Sequence, residues 1–131
     1  MGWKDVTDLE RYKEWLKDPR YVFYQRSYSI IRDKRAIVGF DNVKELKEYL
    51  MKLWEVQKGR CHYTRELMNL KGYTEKDPIA FTVDRVIPKL GYVKGNIVLC
   101  CSIINRIKQD LSISELKSWV DKINLDKKLS D

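Results

Sequence analysis

The sequence predicts an α+β fold: a mostly helical domain with a β-hairpin and a following helix embedded in its second half. Three observations carry this expectation. Apolar residues recur at helical spacing behind capping signals near both ends of the chain, short extended pieces broken by turn residues lie between them, and 131 residues is the usual size of one domain. Four Trp, eight Tyr and three Phe supply bulky side chains for a single core. On this reading residues 1–42 form an N-terminal helical region, 43–125 a hairpin-bearing domain with flanking helices, and 126–131 a frayed tail, together one compact domain.

The elements follow in order. Thr7-x-x-Glu10 is a capping box for a first helix carrying Leu9, Tyr12 and Leu16, stopped by Asp18 and Pro19. The stretch from Tyr21 to Arg35 fits both alternation and a helical period, and the helical reading is preferred. Asn42-x-x-Glu45 then caps the clearest helix, whose core stripe is Val43, Leu46, Leu50, Leu53, Trp54 and Gln57, with Gly59 closing it. Extended pieces are expected at Cys61 to Thr64, Ala80 to Val86 and Ile97 to Leu99, with a polar stretch from Lys71 to Pro78 between the first two. Pro88 cannot donate to a ladder and ends the middle piece, and Gly91 and Gly95 flank a reversal, so a hairpin spans about 80 to 99. Ile103, Ile104 and Ile107 restore the helical period, and Ser112-x-x-Glu115 opens a last helix with Leu116, Trp119, Val120 and Ile123.

Composition narrows the classes of function. No apolar run approaches the ~20 residues of a membrane span, and Met1 Gly2 Trp3 Lys4 Asp5 lacks the layout of a signal peptide, so a cytoplasmic protein with no membrane partner is expected. Cys61, Cys100 and Cys101 are odd in number and form no Cys-x-x-Cys pair, which argues against a disulfide framework and a structural zinc and for buried reduced thiols. The net charge of +7 and pI near 9.3 favour a polyanionic partner. The aromatics of the first half lack the glycine-flanked pattern of an RNA-stacking sheet, so RNA recognition by stacking has little support.

The chemistry concentrates in Thr82 Val83 Asp84 Arg85 Val86 Ile87 Pro88, then Gly91 Tyr92, then Gly95 Asn96 Ile97 Val98 Leu99 Cys100, then Asn105 Arg106 Ile107 Lys108. In this order and spacing, with Cys61 His62 Tyr63 Thr64 after an amphipathic helix, the chain resembles the HNH endonucleases, the ββα-metal nucleases, over roughly residues 43 to 117. The interval from Asn96 through Asn105 to Lys108 is similar to the HNH domain of RNA-guided nucleases, and the Asp84-Arg85 and Gly91-Tyr92 pairs look like those of small phage-encoded HNH proteins. The resemblance implies an embedded ββα-metal motif and a divalent-metal-dependent DNA endonuclease that nicks or cuts both strands. It also implies that Asn96 orients the loop by hydrogen bonds without touching the metal.

Phosphodiester hydrolysis needs a cation on the scissile oxygens, a base for water and stabilisation of the leaving alkoxide. Asp84 offers a carboxylate oxygen and Asn105 an amide oxygen, a pair suited to one Mg²⁺ or Mn²⁺ ion. Helical projection places Asn105 off the isoleucine stripe, near Lys108. Arg85 stands where the resemblance puts the catalytic histidine; it stays protonated and cannot accept a proton, so it serves phosphate or a structural ion pair. Strict alternation sends Asp84 and Arg85 to opposite faces, while a bend of the strand near Pro88 would let both side chains reach one phosphate. His62, the one histidine, is the candidate base, with Tyr63 or Tyr92 as the alternatives the resemblance admits. Lys89, Lys94, Arg106 and Lys108 are expected against DNA phosphates. The competing expectation is an HNH-like DNA-binding module, or a phage assembly adaptor, without cleavage.

Overall fold

The structure is a computed structural model that describes residues 19–70 and 77–123; the expected first helix at 7–18, most of the polar stretch after Leu70 and the tail lie outside them. Among the described residues the fold is α+β, as the periodicity predicts: α1 (Pro19–Arg32), α2 (Val43–Gln57), a hairpin of β1 (Phe81–Arg85) and β2 (Ile97–Cys101), then α3 (Ser102–Lys108) and α4 (Ile113–Asp121). No helix among them is long and apolar enough to cross a membrane.

The capping signals work as read. The Asn42 side chain accepts a 2.9 Å hydrogen bond from the Glu45 N–H, and α2 ends through Lys58 and Gly59 in left-handed conformations. Ser112 and Glu115 make a reciprocal capping box on α4. Helix α1 resolves the ambiguity after Tyr21 because Val22 and Phe23 are held in the core, Phe23 packing on Trp54 and Phe81 with ring centroids 5.9 and 5.2 Å apart. Leu46 and Leu50 of α2 and Phe81, Leu99 and Cys100 of the hairpin complete its fully buried centre.

A two-stranded sheet has two open edges, and here neighbouring side chains cover both. The strands pair antiparallel with Asp84 opposite Val98, and the bonds from Val86 N–H to the Asn96 carbonyl and from Ser102 N–H to the Ala80 carbonyl fix which backbone groups face outward. On β2 the outward groups of Leu99 are taken by the Gln57 amide, which accepts from Leu99 N–H at 3.0 Å and donates to its carbonyl at 2.9 Å. On β1 the outward carbonyls of Val83 and Arg85 accept from Asn105 Nδ2 at 3.3 Å and Lys108 Nζ at 3.1 Å. Residues three apart on a helix thus meet residues two apart on a strand, which fixes α3 along β1.

Two local expectations are corrected. Cys61 to Thr64 is a turn, closed by Arg65 N–H on the Cys61 carbonyl, and only isolated bridges at Arg60 and Leu67 flank it. The isoleucine stripe of α3 stops early: Ile107 is exposed, and Lys108 takes the inward position.

Candidate functional site

The loop between the strands is locked by its own side-chain and backbone hydrogen bonds. Pro88–Leu90 makes one 3-10 turn, and the buried Asn96 side chain accepts from Ile87 N–H at 2.9 Å while donating to the carbonyls of Ile87 at 3.0 Å and Gly91 at 2.8 Å. Gly91 has φ +79°, and a Cβ there would collide with the Ile37 carbonyl, so this position requires glycine. Tyr92 continues the loop by exchanging backbone bonds with the segment 37–39, at 2.8 Å in each direction.

Asp84 lies on the strand this loop leaves, 4% exposed, and its carboxylate is fully engaged. Lys108 Nζ sits 3.3 Å from both Oδ1 and Oδ2, and the Tyr63 hydroxyl donates to Oδ2 at 2.6 Å. The ammonium is wholly buried, with the Arg85 carbonyl as its further acceptor. Lys108, expected on the phosphate-facing surface, is therefore an internal counter-ion: a buried carboxylate needs a cation at contact distance, and one helical turn past Asn105 is where α3 supplies it. Burial, then the hydrogen bond to Asp84 and its charge, raise the Tyr63 phenol far above the usual tyrosine range and hold its proton.

Arg85 faces the other way, as strand alternation requires. Its guanidinium is partly exposed, lies 5.2 Å from the Tyr92 ring centroid, and pairs loosely with Asp110 at 3.7 Å. Asn105 donates to Thr82 Oγ1 at 3.0 Å as well as to Val83, leaving its Oδ1 without a hydrogen bond among the described residues. Asn105 and Tyr92 line a cleft of about 280 Å³ between α1 and the outer edge of β1, together with Arg26, Ser29, Ile30 and Thr82. Arg26 and Ser29 had no signal in the sequence, since only the packing of α1 brings them here.

His62 is exposed on the turn before Tyr63, its ring edge-on to the Tyr63 ring with centroids 5.0 Å apart. Partial shielding of the ring, then the nearby Arg65 charge, lower its pKa, with Asp84 opposing. It does not line the cleft. Lys89, Lys94 and Arg106 are exposed, Lys94 in an ion pair with Glu45 at 3.5 Å.

For a divalent ion the donor chemistry fits in kind: a carboxylate and an amide oxygen stand on adjoining positions of β1 and α3. The Lys108 ammonium competes for the same carboxylate. Among the described residues no three His, Cys, Asp or Glu side chains gather into a metal-holding group, so Asn105 and solvent or substrate oxygens would complete any such site. No family model matches the chain, and no curated protein does.

Proposed function

We propose that the chain is a divalent-metal-dependent DNA endonuclease of the HNH type. What supports this most directly is the hairpin-and-helix unit that sets Asp84, Arg85 and Asn105 around one strand, next to a loop tied down by Asn96. Asp84 and Asn105 would hold one Mg²⁺ or Mn²⁺ ion, which when bound supplies charge neutralisation at the scissile phosphate and the leaving oxygen. The chain's own groups take the other tasks. Arg85 stacks on Tyr92 at the exposed end of β1 and binds a phosphate bidentately. His62 is the base, because its lowered pKa keeps it neutral near pH 7, whereas Tyr63 and Tyr92 are both raised, mainly by burial, and keep their protons. Exposed Lys89, Lys94 and Arg106 meet flanking phosphates.

A second reading rests on a specific observation. With Lys108 on both oxygens of Asp84, the carboxylate is already neutralised, as in a DNA-binding module that does not cut. Supercoiled plasmid incubated with Mg²⁺, Mn²⁺ or EDTA separates the two. Metal-dependent nicks, lost in an Asn105→Ala protein that melts near the parent temperature, support the enzyme. Retarded but intact DNA under every condition supports the binder. For the enzyme, His62→Ala lowers the rate by ~10²-fold or more, and the parent rate falls as pH drops below about 6.5, where an imidazole of lowered pKa begins to protonate.

A further inference from the structure

Three thiols, expected to be inert core groups, are not equivalent in the folded chain. Strand alternation points Cys100 and Cys101 to opposite faces of β2. Cys100 faces Thr82, its sulfur 3.6 Å from Oγ1. Cys101 is on the outward edge, where its N–H donates to Cys61 Sγ at 3.3 Å and so sets the two cysteines side by side. Forty positions of chain separate this pair, and the Cys100 sulfur lies against Thr82 instead.

The turn around Cys61 supplies the chemistry. Burial raises its pKa, but the Thr64 hydroxyl and the N–H groups of Cys101, Thr64 and Tyr63 all donate to the sulfur and bring the thiol below the usual cysteine value. Burial pushes Cys101 up to about 11 and Cys100 up to about 12. Cys61 is therefore the more acidic of the two sulfurs, and the neighbouring Cys101 thiol is placed to resolve it. Both cysteines are buried, but the turn that follows Cys61 is exposed at His62, Thr64, Arg65, Glu66 and Leu67, and Arg65 holds a left-handed φ of +67°, a conformation that non-glycine residues rarely adopt.

We propose that Cys61 and Cys101 form a peroxide-reactive dithiol that closes into an intramolecular disulfide. The Cys61 thiolate attacks one peroxide oxygen, the O–O bond breaks, and a sulfenic acid forms with release of water once the leaving hydroxide is protonated. The Cys101 sulfur then attacks the sulfenic sulfur, the S–O bond breaks, and its thiol proton leaves with the hydroxyl as a second water. Two thiols lose two electrons and one peroxide gains them. The bond ties the turn bearing His62 and Tyr63 to Cys101, the residue that caps α3, and so staples both sides of the Asp84 cluster. It is independent of whether the chain cuts DNA.

The test uses the reduced, full-length protein exposed to hydrogen peroxide, quenched with an alkylating agent and sequenced by fragmentation mass spectrometry without reduction. The expected product has lost two hydrogens, carries a Cys61–Cys101 link and alkylates at one cysteine, Cys100. The link persists in Cys100→Ser and is lost in Cys61→Ser and Cys101→Ser. The oxidised parent melts at a higher temperature than the reduced one, and a thiol reductant reverses the shift. A link through Cys100, or three free thiols at peroxide levels that oxidise a small-molecule thiol, overturns the proposal. Because the parent protein is itself sequenced, misfolding of a serine variant does not obscure the result.

Discussion

Asp84 and Arg85 are neighbours on one strand and carry opposite charges, yet they live in different electrostatic regimes. Asp84 is 4% exposed and shares its two oxygens between a buried ammonium and a phenol. Arg85 keeps part of its side chain in solvent, with an exposed Asp110 at 3.7 Å and an aromatic ring beneath it. A period of two residues makes this difference, and it separates what each charge can do. The buried pair supports the fold by staying matched, while the partly exposed group is open to exchanging its partner for a phosphate.

The sharpest way to break the contrast is to unbalance the buried side. Asp84→Ala leaves the Lys108 ammonium enclosed without its counter-ion and is expected to cost about 3–5 kcal/mol of stability. Urea titration of the parent and variant measures it. Adding Lys108→Met should recover most of the loss, since a shape-matched apolar replacement of a buried pair is often neutral. If Asp84→Ala unfolds at the parent midpoint, the pair is not the internal support that its burial implies.

The next effect tests the loop. Asn96→Ala removes one acceptor and two donors from the backbone of Ile87 and Gly91, leaving buried polar groups unpaired at about 1–3 kcal/mol. Hydrogen exchange at Ile87 N–H should rise with it. Tyr63→Phe deletes a single bond to a charged acceptor and is expected to cost about 1.5–3 kcal/mol, towards the lower end because Lys108 still neutralises Asp84. A double-mutant cycle of Tyr63→Phe with Asp84→Asn isolates that bond from the general cost of altering the site.

These effects also mark what could be read in advance. Asn42, Ser112, Gly91 and the pairing of the segments around Val83 and Val98 announce themselves through local rules: a cap needs its side chain three residues before the partner N–H, and a strand alternates. Alternation holds to the end of β1, so Asp84 and Arg85 diverge, and a bend near Pro88 does not bring the two side chains together. What local rules do not contain is which distant group a buried charge finds. Lys108 reads as one more cation on a basic helix until α3 is laid along the outer edge of β1, and Gln57 reads as part of an apolar stripe until β2 offers it Leu99. The piece from Cys61 to Thr64 reads as extended, whereas the bond from the Arg65 N–H to the Cys61 carbonyl closes it into a turn.

The smallest expected change in stability belongs to Arg85, and it is the most informative about function. Arg85→Gln loses a loose pair with an 88% exposed carboxylate and should shift stability by no more than about 1 kcal/mol. DNA affinity, followed by fluorescence anisotropy across a salt series, should fall in the same variant, and the slope of log affinity against log salt should shrink by about one phosphate contact. Neutralising Lys89 or Arg106 should reduce the slope similarly while leaving any cleavage rate at saturating DNA near the parent value. Arg85→Gln should lower that rate, because a guanidinium beside the reacting phosphate stabilises charge that develops during the reaction rather than charge already present. If the slope stays unchanged in Arg85→Gln, the exposed side of β1 is not where DNA lies, and the partly solvated arginine is as structural as its buried neighbour.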